Sequence, residues 1–232
     1  MKNFTLKTIF TLAALLMPFM ASAQFYEVYK NNGEKDVYNS NEVDSIVLCM
    51  PDQPEPEIPE YVDLGLSVKW ATCNLGAKKP AESGSYFAWG ETETKDVFNS
   101  DNCLTHMIPF DGEISGDPEY DAATAILGEE WRMPTYDELY ELQDVCAWEW
   151  VTDNGVNGYK VTGPNGNSIF LPAAGRYVEG DLQFANMNGL YWTARPMEMD
   201  LAFCIMFDSE MCYTYVNDVR YNGLSIRPVR AK

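Results

Sequence analysis

The sequence predicts an α+β fold, made mostly of antiparallel strands with one main helix and one short helix. Two observations carry this prediction: a helix-start signal near the middle of the chain, and short alternating apolar segments joined by turn residues after it. With 232 residues, the chain is long enough to bury a core without the help of disulfides.

Residues 1–23 have the features of a signal peptide that directs export through the Sec pathway. Lys2 and Lys7 supply the positive start, residues 9–20 are apolar, and Ala21-Ser22-Ala23 is a small-residue cleavage site. The apolar run is too short to span a bilayer, so cleavage after Ala23 should leave a protein that is not inserted in the membrane. The expected localisation is secreted or cell surface.

The mature chain should divide into a small N-terminal β module, a linker and a main domain. In the module, Phe25–Tyr29 alternates like a strand, Asn31-Asn32-Gly33 is a turn signal, and residues 43–48 supply a second strand. The linker is rich in proline and glutamate, which makes it stiff and extended. The predicted boundaries are 24–48 for the β module, 49–60 for the linker and 61–232 for the main domain.

The first part of the main domain is predicted to contain strand, loop and a short helix. Residues 61–76 alternate between apolar and polar like a strand, and the aromatic segment 84–90 indicates a buried strand or turn. Residues 99–119 are acidic and rich in turn residues, which is typical of a long surface loop. The short helix is expected over 121–127, with Asp121 as its N-cap.

The segment EWRMPTYDELYEL, residues 130–142, predicts the main helix at about 135–146. Thr135 and Glu138 have the spacing of a capping box, in which each side chain binds the other residue's backbone N–H. Acids in the first turn also suit the positive end of the helix dipole, so they need no catalytic role. The expected buried face comprises Leu139, Leu142, Val145 and Cys146, with Trp131 and Arg132 anchoring the start of the helix.

Turn signals after the helix divide the rest of the chain into antiparallel strands. Asn165-Gly166 is typical of a hairpin turn, and the polar segment 208–210 marks a second hairpin. The strands expected are 158–163, 168–172, 190–194, 202–207, 211–216 and 223–229.

Six cysteines occur at wide spacings with no C-x-x-C pair, so neither a zinc site nor thioredoxin-like redox chemistry is indicated. In the second hairpin, Cys204 should lie opposite Tyr215 and Cys212 opposite Phe207. That register directs the two thiols to opposite faces of the sheet. Disulfide pairing stays open, and buried free thiols are an equally acceptable outcome.

No catalytic set is predicted. His106 is the only histidine, and neither G-x-S-x-G nor H-E-x-x-H occurs, which disfavours triad hydrolases and zinc peptidases. Two carboxylates would suffice for a glycosidase, but on a chain with 35 acidic residues a chance pair carries little information.

The excess of acidic residues limits the kinds of partner that the protein can bind. A formal net charge of −19 opposes binding to phosphate backbones, so nucleic acid is not an expected partner. Calcium is the one metal that the sequence suggests, because Asp117, Glu119 and Asp121 alternate in a loop and offer oxygen ligands. The competing interpretation is that Asp121 caps the short helix and the other acids are solvated. No other cofactor is expected.

Aromatic and polar residues crowd the C-terminal strands and loops. Exposed there, they would form a stacking surface for a sugar or for a protein partner. Buried, the same aromatics would be ordinary core. The predicted ligand-binding residues are Tyr191, Trp192, Tyr213, Tyr215, Asn217, Asp218 and Tyr221.

Several segments, taken in order from about residue 61 to residue 230, resemble the FISUMP (Fibrobacter succinogenes major paralogous) domain of exported Bacteroidetes proteins. They are YVDLGLSVKWATCNLGA, GSYFAWGET, DAATAILGEEWRMPTYDELYEL, GYKVTGPNGNSIFLPAAG, LYWTA and GLSIRPVR. This domain is similar to the superfamily of the formylglycine-generating enzyme and the C-type lectin-like fold. The resemblance implies a compact, loop-rich α+β domain that is used at the cell surface.

This chain departs from the residue patterns of two functional branches of that superfamily. The enzyme branch needs a close cysteine pair for copper, and Cys204 and Cys212 do not have that spacing. Calcium-dependent lectins use EPN-like and WND-like motifs, and only Val216-Asn217-Asp218 partly matches the second. The expected function is therefore a secreted or surface-exposed, non-enzymatic binding or adhesion module whose ligand is a glycan or a surface protein. The alternatives are a structural subunit of a surface assembly and, less favoured, an enzyme of the formylglycine-generating type.

Overall fold

The computed structural model describes Thr5–Leu6, Phe25–Tyr29, Lys35–Asn39, Val47–Leu48 and residues 58–232. The chain forms two compact units, Met1–Glu55 and Pro56–Lys232, and the division falls within the proposed linker 49–60. The expected cleavage site after Ala23 lies outside the described residues.

The first unit contains four short strands: β1 (Thr5–Leu6), β2 (Phe25–Tyr29), β3 (Lys35–Asn39) and β4 (Val47–Leu48). β2 pairs with β3 as an antiparallel hairpin, and β1 pairs with β4 in parallel. β4 lies within the predicted strand 43–48, but the prediction that this strand pairs with β2 is wrong, because β3 takes that place. β2 and β3 are only five residues apart in sequence, so bringing them together costs less chain entropy than pairing β2 with residue 43 onward.

The second unit is mostly antiparallel, in three small three-stranded sheets with two helices, which confirms the α+β class. The helices are α1 (Ala122–Leu127) and α2 (Tyr136–Val145). The strands are β5 (Tyr61–Asp63), β6 (Lys69–Ala71), β7 (Ala147–Asp153), β8 (Val156–Thr162), β9 (Ser168–Pro172), β10 (Arg176–Val178), β11 (Asp181–Gln183), β12 (Gly189–Pro196), β13 (Leu201–Phe207), β14 (Cys212–Val219) and β15 (Val229–Arg230).

The three sheets have the strand orders β15-β6-β5, β7-β8-β9 and β12-β13-β14, and β10 and β11 form a separate hairpin. The two predicted hairpins, β8–β9 around Asn165-Gly166 and β13–β14 around residues 208–210, are both present. No described helix has the length and apolar character needed to cross a membrane.

Three apolar clusters form the core of the second unit, and the two larger ones enclose β12. One contains Trp89, Trp131 and Trp192, and the other contains Trp70 and Phe207. β12 contributes to both, because alternate side chains of one strand point to opposite faces. β12 is therefore covered on both faces along most of its length.

The predicted strand over 61–76 is a hairpin instead. β5 and β6 form an antiparallel pair in which Tyr61 lies opposite Ala71. The loop between the two strands turns at Gly65, whose φ is +83°. The side chain of Asp63 accepts a hydrogen bond from the Gly65 N–H and stabilises the turn. The alternation correctly indicated burial of Leu64, Leu66 and Val68, but these residues lie in the loop and not in a strand.

The closing segment runs through the middle of the second unit. Gly223, Leu224 and Ser225 make single bridges to three separate parts of the chain, and Val229 then enters β15. The bridge between Leu224 and Phe87 holds the aromatic segment 84–90 in the core. The predicted strand 223–229 is thus an extended segment with several partners.

Both predicted helix starts are confirmed. Asp121 accepts hydrogen bonds from the backbone of Ala123 and Thr124 at the start of α1. At α2, Thr135 accepts from the Glu138 N–H, and the Glu138 carboxylate accepts from the Thr135 N–H. Arg132 completes the arrangement with an ion pair to Glu138 at 2.5 Å.

The prediction of the buried helical face is wrong for one residue, Val145. Leu139 and Leu142 are buried, but Val145 is exposed. A helix turns by about 100° per residue, so Val145 lies about 120° around the helix from Leu139. Cys146 is nearly in line with Leu139 and packs against the core.

Replacing Glu138 with Gln is expected to lower the free energy of unfolding. The loss, compared with the wild type, should be larger at neutral pH than at acid pH. Burial alone would raise the pKa of Glu138, but hydrogen bonds from Arg132 and Thr135 together hold it below its usual value of 4.5. The carboxylate therefore stabilises the fold above that value, and this contribution disappears as the pH falls through the depressed folded-state pKa. We expect a loss of about 1.5 kcal/mol at pH 7, the lower end for a hydrogen-bonded charged group.

Urea unfolding followed by circular dichroism at pH 7 and pH 3 measures this difference. Asp137→Asn, an exposed acid in the same turn, is the matched control and should change the free energy of unfolding by less than about 0.5 kcal/mol. An equal loss for Glu138→Gln at both pH values would contradict the role of the ionised carboxylate.

Candidate binding site

The structure separates the seven predicted ligand-binding residues into buried and exposed groups. Tyr191 and Trp192 lie in the core, with exposed fractions of 1% and 0%. The Tyr191 hydroxyl donates to the Pro172 carbonyl, and the Trp192 Nε1–H donates to the Phe87 carbonyl. Their assignment to an exposed stacking surface is wrong, because β12 is covered on both faces.

Asp218 and Tyr221 lie at the end of β14 and in the turn after it. Asp218 is buried, and its two oxygens accept from Arg176, from the Val219 N–H and from the Asn222 side chain. A carboxylate with these partners fixes the turn and is not open to a ligand. Tyr221 is half-buried, and its ring meets the ring of His106 edge to face.

The remaining three residues, Tyr213, Tyr215 and Asn217, alternate along β14 and are exposed. Tyr215 is exposed by 78%, the most of any described tyrosine. β14 is the outer strand of its sheet, and the exposure of its side chains shows that part of it is accessible to solvent. Asn217 lies opposite Phe203 and the Tyr215 ring contacts the Phe203 ring, so these two share one surface, whereas Tyr213 lies opposite Met206 beyond a register shift and does not join them.

Two aromatic residues that sequence reasoning missed continue this surface. The Phe203 ring lies 5.8 Å from the Tyr215 ring and 5.2 Å from the Tyr136 ring. Asn217 is the cross-strand partner of Phe203. We call the set formed by Tyr136, Arg195, Phe203, Tyr215 and Asn217 the β14 aromatic face.

Arg195 belongs to this face through stacking. Its guanidinium lies over the rings of Tyr136, at 5.2 Å, and Phe203, at 5.6 Å. Arg195 is exposed at the end of β12, where the burial of that strand stops. The two rings hold the guanidinium close to the surface of the sheet, so that it faces solvent.

A surface cavity of 420 Å³ lies beside the β14 aromatic face, and Arg195 lines it too. Burial raises the pKa of Glu113, another lining residue, and Glu113 accepts from the Tyr136 N–H at 3.4 Å. The lining residues are Phe110, Asp111, Gly112, Glu113, Arg195, Pro196 and Met197.

The predicted calcium ligands do not form a site. Asp117 and Glu119 are exposed, whereas Asp121 is fully buried. One Asp121 oxygen accepts from the first turn of α1, and the other accepts from the N–H groups of Gly116 and Met133. Asp121 is therefore a buried cap and not an available metal ligand. Within the described part of the chain, no group of three His, Cys, Asp or Glu residues could hold a metal ion.

The second hairpin directs its two cysteines into different core clusters. Cys212 lies opposite Phe207 as predicted, but Cys204 lies opposite Val216 and not Tyr215, because the register shifts between Cys204 and Met206. Burial raises the pKa of Cys204, and it raises the pKa of Cys212 to about 12. Both thiols are free and stay protonated at neutral pH. They are not placed to share a copper ion.

Comparison with known proteins gives no relative. No protein-family model matches the chain, and neither the curated proteins nor the solved structures contain a significant match.

Proposed function

We propose that the protein is a secreted or surface-exposed, non-enzymatic binding module, with a fold of the C-type lectin-like kind, that holds its ligand on the β14 aromatic face. The observation that supports this best is that Tyr215, on the outer strand β14, is exposed and lies next to Phe203 of β13. Water solvates aromatic rings poorly, so a ring exposed by 78% that packs against the half-buried ring of Phe203 favours a function in recognition.

The composition of the face favours a glycan over a surface protein. The flat rings of Phe203 and Tyr215 can pack against the C–H face of a sugar ring. Asn217 supplies an amide that can donate to and accept from sugar hydroxyls. A small number of polar groups beside an apolar surface is the usual composition of a small-molecule site.

A catalytic role has less support. The cysteines that an oxidase of the formylglycine-generating type would need are protonated and lie in different clusters. The proposed export agrees with the signal-like residues 1–23. Binding should be independent of calcium, because Asp121 and Asp218 are engaged in hydrogen bonds within the fold.

Replacing Tyr215 with Ala is expected to weaken glycan binding at least tenfold, because the most exposed ring of the face is lost. A glycan array screened with the purified protein, in calcium and in chelator, identifies the ligand, and calorimetry then gives the affinities. Tyr61→Ala is the matched control: Tyr61 is an exposed tyrosine in another sheet, and its loss should leave binding unchanged.

Three outcomes would contradict the proposal. The first is a glycan whose affinity is the same for Tyr215→Ala and for the wild type. The second is binding that is abolished by chelator. The third is an array without any ligand, which would leave a surface protein as the remaining ligand class.

A further inference from the structure

Arg195 differs from every other arginine of the chain in what holds its guanidinium. The other arginines donate hydrogen bonds to carboxylates or to backbone carbonyls of the fold. Among the described residues, Arg195 makes no side-chain hydrogen bond or ion pair, and the rings of Tyr136 and Phe203 hold it. Its N–H donors are therefore free for a ligand. The other arginines are Arg132, Arg176, Arg220, Arg227 and Arg230.

Stacking prepares this guanidinium for an anion. A planar guanidinium that lies flat on a ring keeps the N–H groups of its edge directed outward, and it loses less side-chain freedom on binding. Those groups match the two oxygens of a carboxylate in a paired hydrogen bond, which a lysine cannot reproduce. Arg195, held 5.2 Å and 5.6 Å from two ring centroids, therefore offers the donor pattern that recognises a carboxylate.

The surrounding charges limit how many negative groups a ligand can carry. Asp111 and Glu113 line the cavity beside Arg195, and the chain as a whole has a formal net charge of −19. At physiological salt, charges beyond about 8 Å are largely screened, which weakens the repulsion from remote acids. Glu113 is nearer, because the charge of Arg195 acts to lower its pKa against the effect of burial, so it opposes each additional negative group on a ligand. A ligand with several adjacent carboxylates, such as an acidic peptide, is repelled more strongly.

We propose that the β14 aromatic face binds an acidic saccharide, with sugar rings packed on Phe203 and Tyr215 and a single carboxylate paired with Arg195. This inference rests on the proposed function and adds the chemical class of the ligand. The ring of Phe203 contacts both Tyr215 and Arg195. A sugar stacked on Phe203 thus has its neighbouring groups beside the guanidinium.

The test compares each acidic saccharide with its own methyl ester, which keeps the sugar rings and removes the charge. The probes are sialyllactose and glucuronosyl-xylobiose, their methyl esters, and the neutral sugars lactose and xylotriose, measured by calorimetry at physiological salt. At least one acid should bind ten times or more tightly than its ester. Arg195→Gln should remove that preference and leave the ester's affinity within about threefold of the wild type.

Arg195→Lys keeps the charge but not the planar pair of donors, so it should recover only part of the preference. Because the acid–ester comparison uses the wild-type protein, it stays decisive even if an Arg195 variant folds poorly. Equal binding of acid and ester overturns the inference. Neutral sugars that bind in a Tyr215-dependent way would then leave the proposed function standing. The inference is also overturned if a glutamate tetrapeptide binds and none of the saccharides does, or if no probe binds at all.

Discussion

Replacing Arg227 with Met is expected to destabilise the second unit by about 4 kcal/mol. Arg227 is 1% exposed, and its guanidinium donates to the Asn74 side chain and to the carbonyls of Ala71 and Phe170. Burial lowers the pKa of Arg227, yet the ordinary arginine value is so high that the group stays charged. Methionine fills a similar volume but leaves three buried acceptors without a donor.

The three acceptors explain why this residue matters for the whole unit. Ala71 belongs to β6, Phe170 belongs to β9, and Asn74 lies in the loop after β6. A single guanidinium thus ties two separate sheets to the closing segment. Losing it should reduce the cooperativity between the sheets as well as the total free energy of unfolding.

Arg230→Met is the matched control, since Arg230 is three residues further along and its partner Glu130 is largely exposed. An exposed ion pair contributes about 0–1 kcal/mol, so this variant should stay close to the wild type. Urea unfolding of both variants, followed by tryptophan fluorescence, gives the comparison. Similar losses for the two substitutions would show that the buried carbonyl contacts contribute little.

The helices could be predicted closely from the sequence because their signals are local. The cap of α2 depends on Thr135 and Glu138, which are three residues apart and would find each other in many folds. The β8–β9 hairpin is similar, because Asn165-Gly166 favours its turn whatever surrounds it. β7, in contrast, was not among the predicted strands, since its half-buried Trp148 and Trp150 become apolar partners only through contact with Phe207.

The binding site depends on contacts that are distant in sequence. Arg195 stacks on Tyr136, almost sixty residues earlier, and no local pattern announces that contact. Phe203 could have been found, because alternation along the predicted strand 202–207 sets it on the face opposite to Ala202 and Cys204. The register shift near Cys204 was beyond local reasoning, because a β-bulge is set by the partner strand and the core beneath it.

The aromatic residues of the C-terminal strands show most clearly why composition alone could not locate the site. Tyr191 and Trp192 are adjacent in sequence, and both were predicted to bind ligand. The structure sends their side chains into the two separate core clusters. Tyr215 has the same residue type as Tyr191, yet only Tyr215 is on the surface.

Replacing Trp192 with Ala should therefore act on stability, at a cost of about 4 kcal/mol. Trp192 is fully buried, and its Nε1–H donates to the Phe87 carbonyl at 2.8 Å. The substitution removes a large apolar group, opens a cavity in the core and takes away one of the two donors of that carbonyl, which keeps the Leu224 N–H. Thermal and urea unfolding of the variant measure the loss.

Tyr215→Ala is the matched substitution on the outer strand of the same sheet, and it should change the free energy of unfolding by less than about 0.5 kcal/mol. The two variants then separate two kinds of aromatic residue: Trp192 supports the fold, and Tyr215 supports recognition. A Trp192→Ala protein with wild-type stability would contradict the burial of β12 on both faces. A strong loss of stability in Tyr215→Ala would instead mean that the β14 aromatic face belongs to the core, and the weaker binding of that variant could not then be assigned to a lost ligand contact.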